Sequence, residues 1–396
     1  MSMMLRPLRQ RSFALLWGAT MLANLGFWTL DLTMAWLIAG LTSSPSMVSL
    51  VPAAGMLPIF LLALPAGAFG DAVDKRRFLV CIQALFVLLL VAFATLVALD
   101  RLTMWLVVGF AFLHGSLAAI ASPARQAVLP SIVDQDNVRG AVMLSALGFN
   151  GSRAIGPVLG GFMLAHYGPT SAIALYAFAC LAVGIVIYVW RQKPEPRLPF
   201  RVVAQSVEGV RYVLTRAQMR EPLGLSLLYF LSIAPLWAFA PLIAKGFASG
   251  DSSVFGLFMM ALGIGAVVGG FSSKLAANSD FASVLGLGGL LSAAALFMIG
   301  TSTSMTLTLA GFFIAGLGWI AVSAGINSHV LVEAQPAFRS RMISMVLIVF
   351  SGGLGLGSLA WGQAARFLGV PGAFMAGAGC LSLLALSVLV RSRIRA

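Results

Sequence analysis

The stretch GAFGDAVDKRR, Gly67 to Arg77, sets Asp71, Asp74, Lys75, Arg76 and Arg77 in a short gap between two almost wholly apolar runs. The flanking runs, Val48 to Phe69 and Phe78 to Leu99, each hold about the 20 residues that a helix needs to cross a ~30 Å hydrocarbon layer. A gap that short is a tight turn where the chain leaves the bilayer and turns back. Three clustered cations place it on the cytoplasmic side, where Lys and Arg are enriched.

Working outward, the same pattern recurs along the chain. With 60% hydrophobic and 9% charged residues, the composition lies far from that of soluble domains, in which roughly a quarter of residues are charged. Apolar runs between charged or Pro/Gly breaks give spans at 13–40, 47–69, 78–99, 103–124, 138–165, 171–190, 222–246, 253–273, 282–300, 305–328, 340–365 and 371–390. Twelve spans of ~22 residues consume nearly all of the 396 residues, so the membrane part must be the functional part. The stretch from Phe13 to Leu41 is too long for a signal-peptide core and is expected to stay as the first span.

Arg6, Arg9 and Arg11 precede the first span, and Arg391, Arg393 and Arg395 follow the last, so both termini read as cytoplasmic. About twenty of the 25 cations then fall on that side, and the opposite loops keep little beyond Arg101, Lys245 and Arg366. The net charge of +13 is therefore a topology signal spread over loop ends, and no nucleic-acid partner is expected. Cys81, Cys180 and Cys380 have no paired spacing, which suggests packing residues and neither disulfides nor a metal site.

Arg191 to Glu221, the longest polar segment, divides the chain into an N-terminal bundle at 1–190, a cytoplasmic linker at 191–221 and a C-terminal bundle at 222–396. Within the linker Val203, Val207, Val210 and Leu214 recur at helical spacing. They fit either an amphipathic helix on the anionic inner leaflet or a plain connection with a helical turn or two. Gly151, Gly156, Gly161 and Gly168, shifted by about 201 residues, land on Gly352, Gly357, Gly362 and Gly369, as expected of related halves. The second half lacks a full echo of the opening turn, keeping only Gly270 and Lys274 near that position.

Gly67, Asp71, Lys75 and Arg76 match the loop between the second and third helices of the major facilitator superfamily, roughly G-x-x-x-D-(R/K)-x-G-(R/K)-(R/K). Ala72 and Asp74 depart from it, where a cation and a glycine are usual. The longer run SPSMVSLVPAAGMLPIFLLALPAGAFGDAVDKRR, Ser44 to Arg77, resembles the transmembrane secretion effector branch, which includes the enterobactin-type siderophore exporters. The likeness covers most of the N-terminal half, and the C-terminal half mainly through hydropathy. It implies an all-α polytopic membrane protein with 12 transmembrane helices in two pseudo-symmetric six-helix bundles, sited in a bacterial-type inner membrane and acting as a monomer. By resemblance, the first, fourth, seventh and tenth spans line a central cavity, and Gly67, Asp71, Asp74, Lys75, Arg76 and Arg77 act as a conformational latch. The cations of that loop serve equally as a plain topology signal.

Two charged residues lie inside spans. Asp31, bracketed by Trp28 and Trp36, sits ~27 Å along the first span, and a carboxylate there costs roughly 2.5 kcal/mol or more unless it faces water or a partner. Arg153 lies ~22 Å into the fifth span, at a similar level. Asp31 and Arg153 are the candidates for proton coupling; a hydrated Asp31 near the outer surface is the plain alternative. Arg153, Gly156 and Gly160 share one helix face, and Gly156, Pro157, Gly160 and Gly161 resemble the fifth-helix motif associated with antiporters. They also read as a small-residue packing seam. Gly265 and Gly269 form a matching seam on the eighth span, which predicts that the fifth and eighth spans pack together. Trp28, Trp36, His114, Asn150, Trp237, Trp319 and Asn327 are candidate cavity residues suited to an amphipathic ligand, although most aromatics in spans only pack. His166 and His329 fall near span ends and read as interfacial.

The expectation is a secondary exporter of an amphipathic small molecule, siderophore-like or drug-like, working by alternating access and proton antiport, with membrane lipid and protons as its other partners. Uptake, lipid translocation, or a non-transporting scaffold or sensor remain alternatives. No G-x-x-x-x-G-K-(S/T) loop occurs in the chain, and no Ser/His/Asp or metal-ligand grouping marks an enzyme. No cofactor is expected.

Overall fold

In hydrocarbon every backbone N–H and C=O must be satisfied within its own segment, so long apolar runs resolve into helices. The computed structural model describes residues 3–72, 74–190, 202–247, 251–272, 280–335 and 338–395, and among these no strand occurs. A short 3-10 turn, Met3–Arg9, leads into α1 (Arg11–Leu41), α2 (Pro45–Val48), α3 (Leu50–Ala72), α4 (Lys75–Ala98), α5 (Met104–Ile132), α6 (Val138–Tyr167) and α7 (Pro169–Val189). After the linker helix α8 (Val202–Thr215) come α9 (Ala217–Ile233), α10 (Pro235–Lys245), α11 (Ser252–Ser272), α12 (Phe281–Thr301), α13 (Met305–Glu333) and α14 (Arg339–Arg395). Ten stretches are long and apolar enough to cross a membrane, one of them the double-length Arg341–Ser392. With that stretch counted twice and the 30-residue α6 added, the helices are consistent with the twelve spans read from the sequence.

Local chemistry sets the boundaries. Asp74 caps α4 by accepting from the Arg77 backbone N–H at 3.0 Å, which satisfies an orphan donor of the first turn. Pro45, Pro169 and Pro235 open their helices, where proline loses no hydrogen bond. Gly168 and Gly369 adopt φ of 76° and 70°, a left-handed conformation that side chains resist. Gly168 thus separates α6 from α7, and Gly369 breaks α14 in two.

These two glycines close a series of matched contacts. A Cβ on Gly156 would meet Leu25 and Trp28 of α1, and one on Gly357 would meet Leu231 and Ala234 of α9, each 206 positions on. Likewise Gly161 abuts Ser252 at the start of α11, and Gly362 abuts Ser46 in α2. The 201-residue glycine repeat is therefore a repeat of contacts, which random abundance of glycine would not produce. Helix α6 packs on α1 and α11, as α14 packs on α9, α2 and α3.

The fifth and eighth spans do pack together, but through a different face from the one expected. Gly161 meets Gly256 and Ser252, whereas Gly265 and Gly269 lie against Phe313, Leu317 and Ile320 of α13. Nine and thirteen residues beyond Gly256, they sit roughly half a turn round the α11 axis from it.

Two large apolar cores stand side by side. One gathers Leu30, Met34, Ile82, Phe86, Phe93 and Tyr176; the other gathers Tyr229, Phe230, Phe258, Phe312, Trp319 and Phe374. Leu32 and Leu164 from the first half join the second core, so the seam is apolar as well as close.

The described part of the linker, Val202–Thr215, forms a helix. Its Tyr212 stacks on Phe338 at 4.1 Å and accepts from the Gln335 backbone N–H at 3.1 Å, while Glu208 pairs with Arg341 at 2.8 Å. This face is docked on the connection between α13 and α14, and Val210 and Leu214 stay exposed. Residues 191–201, and the side chains of Val203 and Val207, lie outside the described residues.

Around the opening turn, Arg76 donates to the carbonyls of Ile187 and Tyr188 and lies 5.6 Å from the Tyr188 ring. It caps the C-terminus of α7, where orphan carbonyls and the helix dipole favour a cation. Asp74 pairs with Arg77 at 3.8 Å. Both bonding sets stay within the first half. Lys75 also has a partner, and the surroundings of Gly67 and the side chain of Asp71 lie outside what is described. Arg76→Gln is expected to lower the thermal midpoint of the purified protein, by about 1 kcal/mol of stability. Arg77→Gln, at a position 88% exposed, leaves it unchanged.

Candidate functional site

Trp28, Asp31, Leu32 and Ala35 recur every three or four residues, so they occupy one face of α1. That face borders a cavity whose other walls are Arg153 and Pro157 of α6, Trp237 of α10, and Phe255, Met259 and Leu262 of α11. The cavity is a narrow cleft, partly open at its mouth. Close approach of glycine backbones positions it. Gly160 lets Thr29 of α1 come within 3.2 Å of where a Cβ would stand, and the Thr29 hydroxyl hydrogen-bonds to the Leu25 and Gly156 carbonyls at 2.8 and 3.2 Å.

Arg153 dominates the site. Its guanidinium lies 5.4 Å from the Trp28 ring, 5.6 Å from Trp237 and 5.0 Å from Trp319. A cation over an aromatic face gains about 2 kcal/mol or more when water is excluded. Three rings, from α1, α10 and α13, therefore offset part of the cost of holding a charge in the membrane interior. Trp319 also meets Trp237 and Phe230 edge-on. Asp31 faces the same cavity and interacts electrostatically with Arg153. Among the described residues the ion pairs within 4.0 Å are Arg77–Asp74 and Arg341–Glu208; Asp31 and Arg153 do not close one.

Of the candidate residues, Trp28, Asp31, Arg153, Pro157, Trp237 and Trp319 come together here. Gly156, Gly160 and Gly161 serve the packing around it. Trp36 does not enter the cavity wall; it stacks on Phe255 at 6.3 Å and lies 5.4 Å beneath the Lys245 ammonium, which donates to the Ala39 carbonyl. His114 is buried inside the first core among Phe27, Phe86 and Tyr176, with Nε2 3.3 Å from the Tyr176 hydroxyl. Asn327 is exposed and donates back to Ser323 of its own helix. The Asn150 side chain lies outside the described residues. His166 and His329 sit at helix ends, as expected.

The lining departs from the expected set of spans in one respect. The first and seventh spans contribute as anticipated and the tenth places Trp319 against Arg153, but α6 and α11, the fifth and eighth, supply walls where the fourth was expected. Their glycine contacts draw them inward. Sequence reasoning missed Phe255, Met259 and Leu262, which look like ordinary core residues. Their i, i+4, i+7 spacing, which sets all three on one face of α11, was the available signal.

Solved structures share this architecture. A POT family transporter crystallised with 5-aminolevulinic acid superposes with a TM-score of 0.77 at 13% identity, covering 96% of each chain. Among curated relatives, the staphyloferrin A transporter of Staphylococcus aureus is 24% identical over 63% of this chain and 64% of its own length, just under two thirds of that protein. Macrolide efflux protein A of Streptococcus pyogenes is 21% identical over 86% of this chain and 85% of its own length. The family model of the transmembrane secretion effector matches residues 2–396. Its apolar helices make the chain a multi-pass membrane protein, and the family match over residues 2–396 places it in the transmembrane secretion effector family of the major facilitator superfamily.

Proposed function

We propose that the chain is a secondary active exporter of an amphipathic small molecule, siderophore-like or drug-like, driven by proton antiport through alternating access. The observation that carries this reading is Asp31 and Arg153 facing one cavity whose walls come from both halves of the chain. Apolar walls with a few convergent polar groups suit an amphipathic ligand. Ionisable groups deep in the membrane mark ion or substrate pathways. Residues 1–190 and 222–396 act as two bundles joined by the 191–221 linker, and they rock about the α6–α11 and α3–α14 seams. Both termini face the cytoplasm, and the membrane is a bacterial inner membrane.

The cargo class draws support from the relatives, one of which transports staphyloferrin A while another effects macrolide efflux. The test is counterflow in proteoliposomes with a panel of siderophores, antibiotics and lysolipids, repeated under an imposed pH gradient. Exchange of a siderophore or antibiotic, accelerated when protons move inward against cargo, is the expected result. Exchange of lysolipids alone would replace the reading with lipid translocation, and exchange of nothing in the panel would remove it.

A further inference from the structure

Buried donors without acceptors cost about 1–3 kcal/mol each, and folded proteins leave few of them. Ten side-chain atoms among the described residues are buried without a partner, and four of them belong to Arg153 and the three indole rings packed around it. They are the Arg153 Nε and the indole Nε1 of Trp28, Trp237 and Trp319, whose rings are the three that surround the Arg153 guanidinium. All four are donors, so a ligand that is itself a donor would leave them as they are. The remaining six atoms belong to other side chains, Trp17, Gln83, Ser152, Ser226, Ser323 and Ser358.

The cavity beside this cluster supplies one acceptor-bearing side chain of its own, Asp31, which does not reach ion-pair distance of Arg153. The rest of the wall, Leu32, Ala35, Pro157, Phe255, Met259 and Leu262, is apolar. We propose that the Arg153 cluster is the docking point for a carboxylate carried on an apolar or aromatic body, the carboxylate oxygens taking hydrogen bonds from the guanidinium and the neighbouring indole N–H groups. A planar guanidinium binds a carboxylate through two parallel hydrogen bonds. The apolar wall receives the body of the same molecule. The inference rests on reading this cavity as the substrate site, and it narrows the amphipathic cargo to an acidic one.

Matched probes test it. Naphthalene-2-carboxylate and naphthalene-2-carboxamide share shape and differ in charge, and their binding to the full chain in lipid nanodiscs is read by quenching of tryptophan fluorescence. The wild type is expected to favour the carboxylate by at least about tenfold, as one charge-assisted hydrogen bond predicts. Arg153→Gln removes that preference while amide binding and thermal midpoint hold. Asp31→Asn, which removes a repelling carboxylate, strengthens acid binding. Equal affinity for the two probes, no binding of the carboxylate, or a preference that survives in folded Arg153→Gln would overturn the inference.

Should Arg153→Gln fail to fold, the double change Trp237→Phe and Trp319→Phe decides, because it leaves one aromatic ring at each position and deletes two donors. Carboxylate affinity that falls with amide affinity unchanged supports the site, and unchanged carboxylate affinity sinks it. A chain that prefers the acid yet moves nothing in counterflow defeats the transport reading alone. A chain that exchanges cargo with no preference for the acid defeats the acidic subsite alone.

Discussion

Replacing Asp31 with Asn is expected to leave cargo exchange intact and to abolish its response to a pH gradient. Asn keeps the size of the side chain and removes its ionisation. Because Asp31 closes no ion pair within 4.0 Å among the described residues, the change breaks no short contact, and the fold is retained. The carboxylate borders the cavity rather than the lipid, so its proton can be exchanged with water that enters with the cargo. With no titratable proton left at this position, the gradient-driven acceleration is expected to fall at least about tenfold. Gradient-free counterflow, measured in the same vesicles, should stay within about twofold. Undiminished acceleration by the pH gradient in well-folded Asp31→Asn would take Asp31 out of the coupling step.

The second large effect is expected at the seam. A Cβ on Gly161 would stand 3.0 Å from the Gly256 Cα and from the Ser252 carbonyl oxygen, both backbone atoms that no side-chain rotation can move aside. Gly161→Leu therefore forces α6 and α11 apart, at a cost of about 1–3 kcal/mol from overpacking. Counterflow should drop at least about tenfold, because the cavity is walled by both helices. Gly161→Ala gives a smaller loss. Gly151→Ala, where nothing lies within 4 Å of the added carbon, is the matched control and leaves both transport and thermal midpoint unchanged. A fully active Gly161→Leu would mean that the two helices need not approach during transport.

Hydropathy made the helices legible because each apolar run had to be long enough to cross hydrocarbon and each break had to carry charge or a Gly/Pro signal. The spacing of Gly156, Gly161 and Gly168 against Gly357, Gly362 and Gly369 anticipated contacts that recur 206 positions apart on their partner helices. Charged residues inside spans were equally conspicuous, so Asp31 and Arg153 could be set at a similar level from their depths, while whether they pair was not readable. Rotational detail was not readable. Gly265 and Gly269 carry the same small-residue signature as Gly256 but face the opposite way, and composition does not say which face of α11 meets which neighbour. His114 and Trp36 fell for a related reason: a polar or aromatic residue in a span reads the same whether it faces a cavity, a core or a neighbouring helix end. The cage around Arg153 draws Trp28, Trp237 and Trp319 from distant points of the chain, and only the folded arrangement brings them to one cation.

One negative and one positive side chain share the described wall of the cavity, and their charges sum to zero. An electric potential across the bilayer does work of about 2.3 kcal/mol per elementary charge per 100 mV, so a neutral couple that turns from one side to the other feels almost none of it. A proton taken up by Asp31 for the return leg leaves the Arg153 charge unbalanced, so the proton-loaded carrier resets faster in vesicles whose negative potential draws that charge across. Asp31→Asn would make that voltage response independent of pH, and Arg153→Gln would remove it.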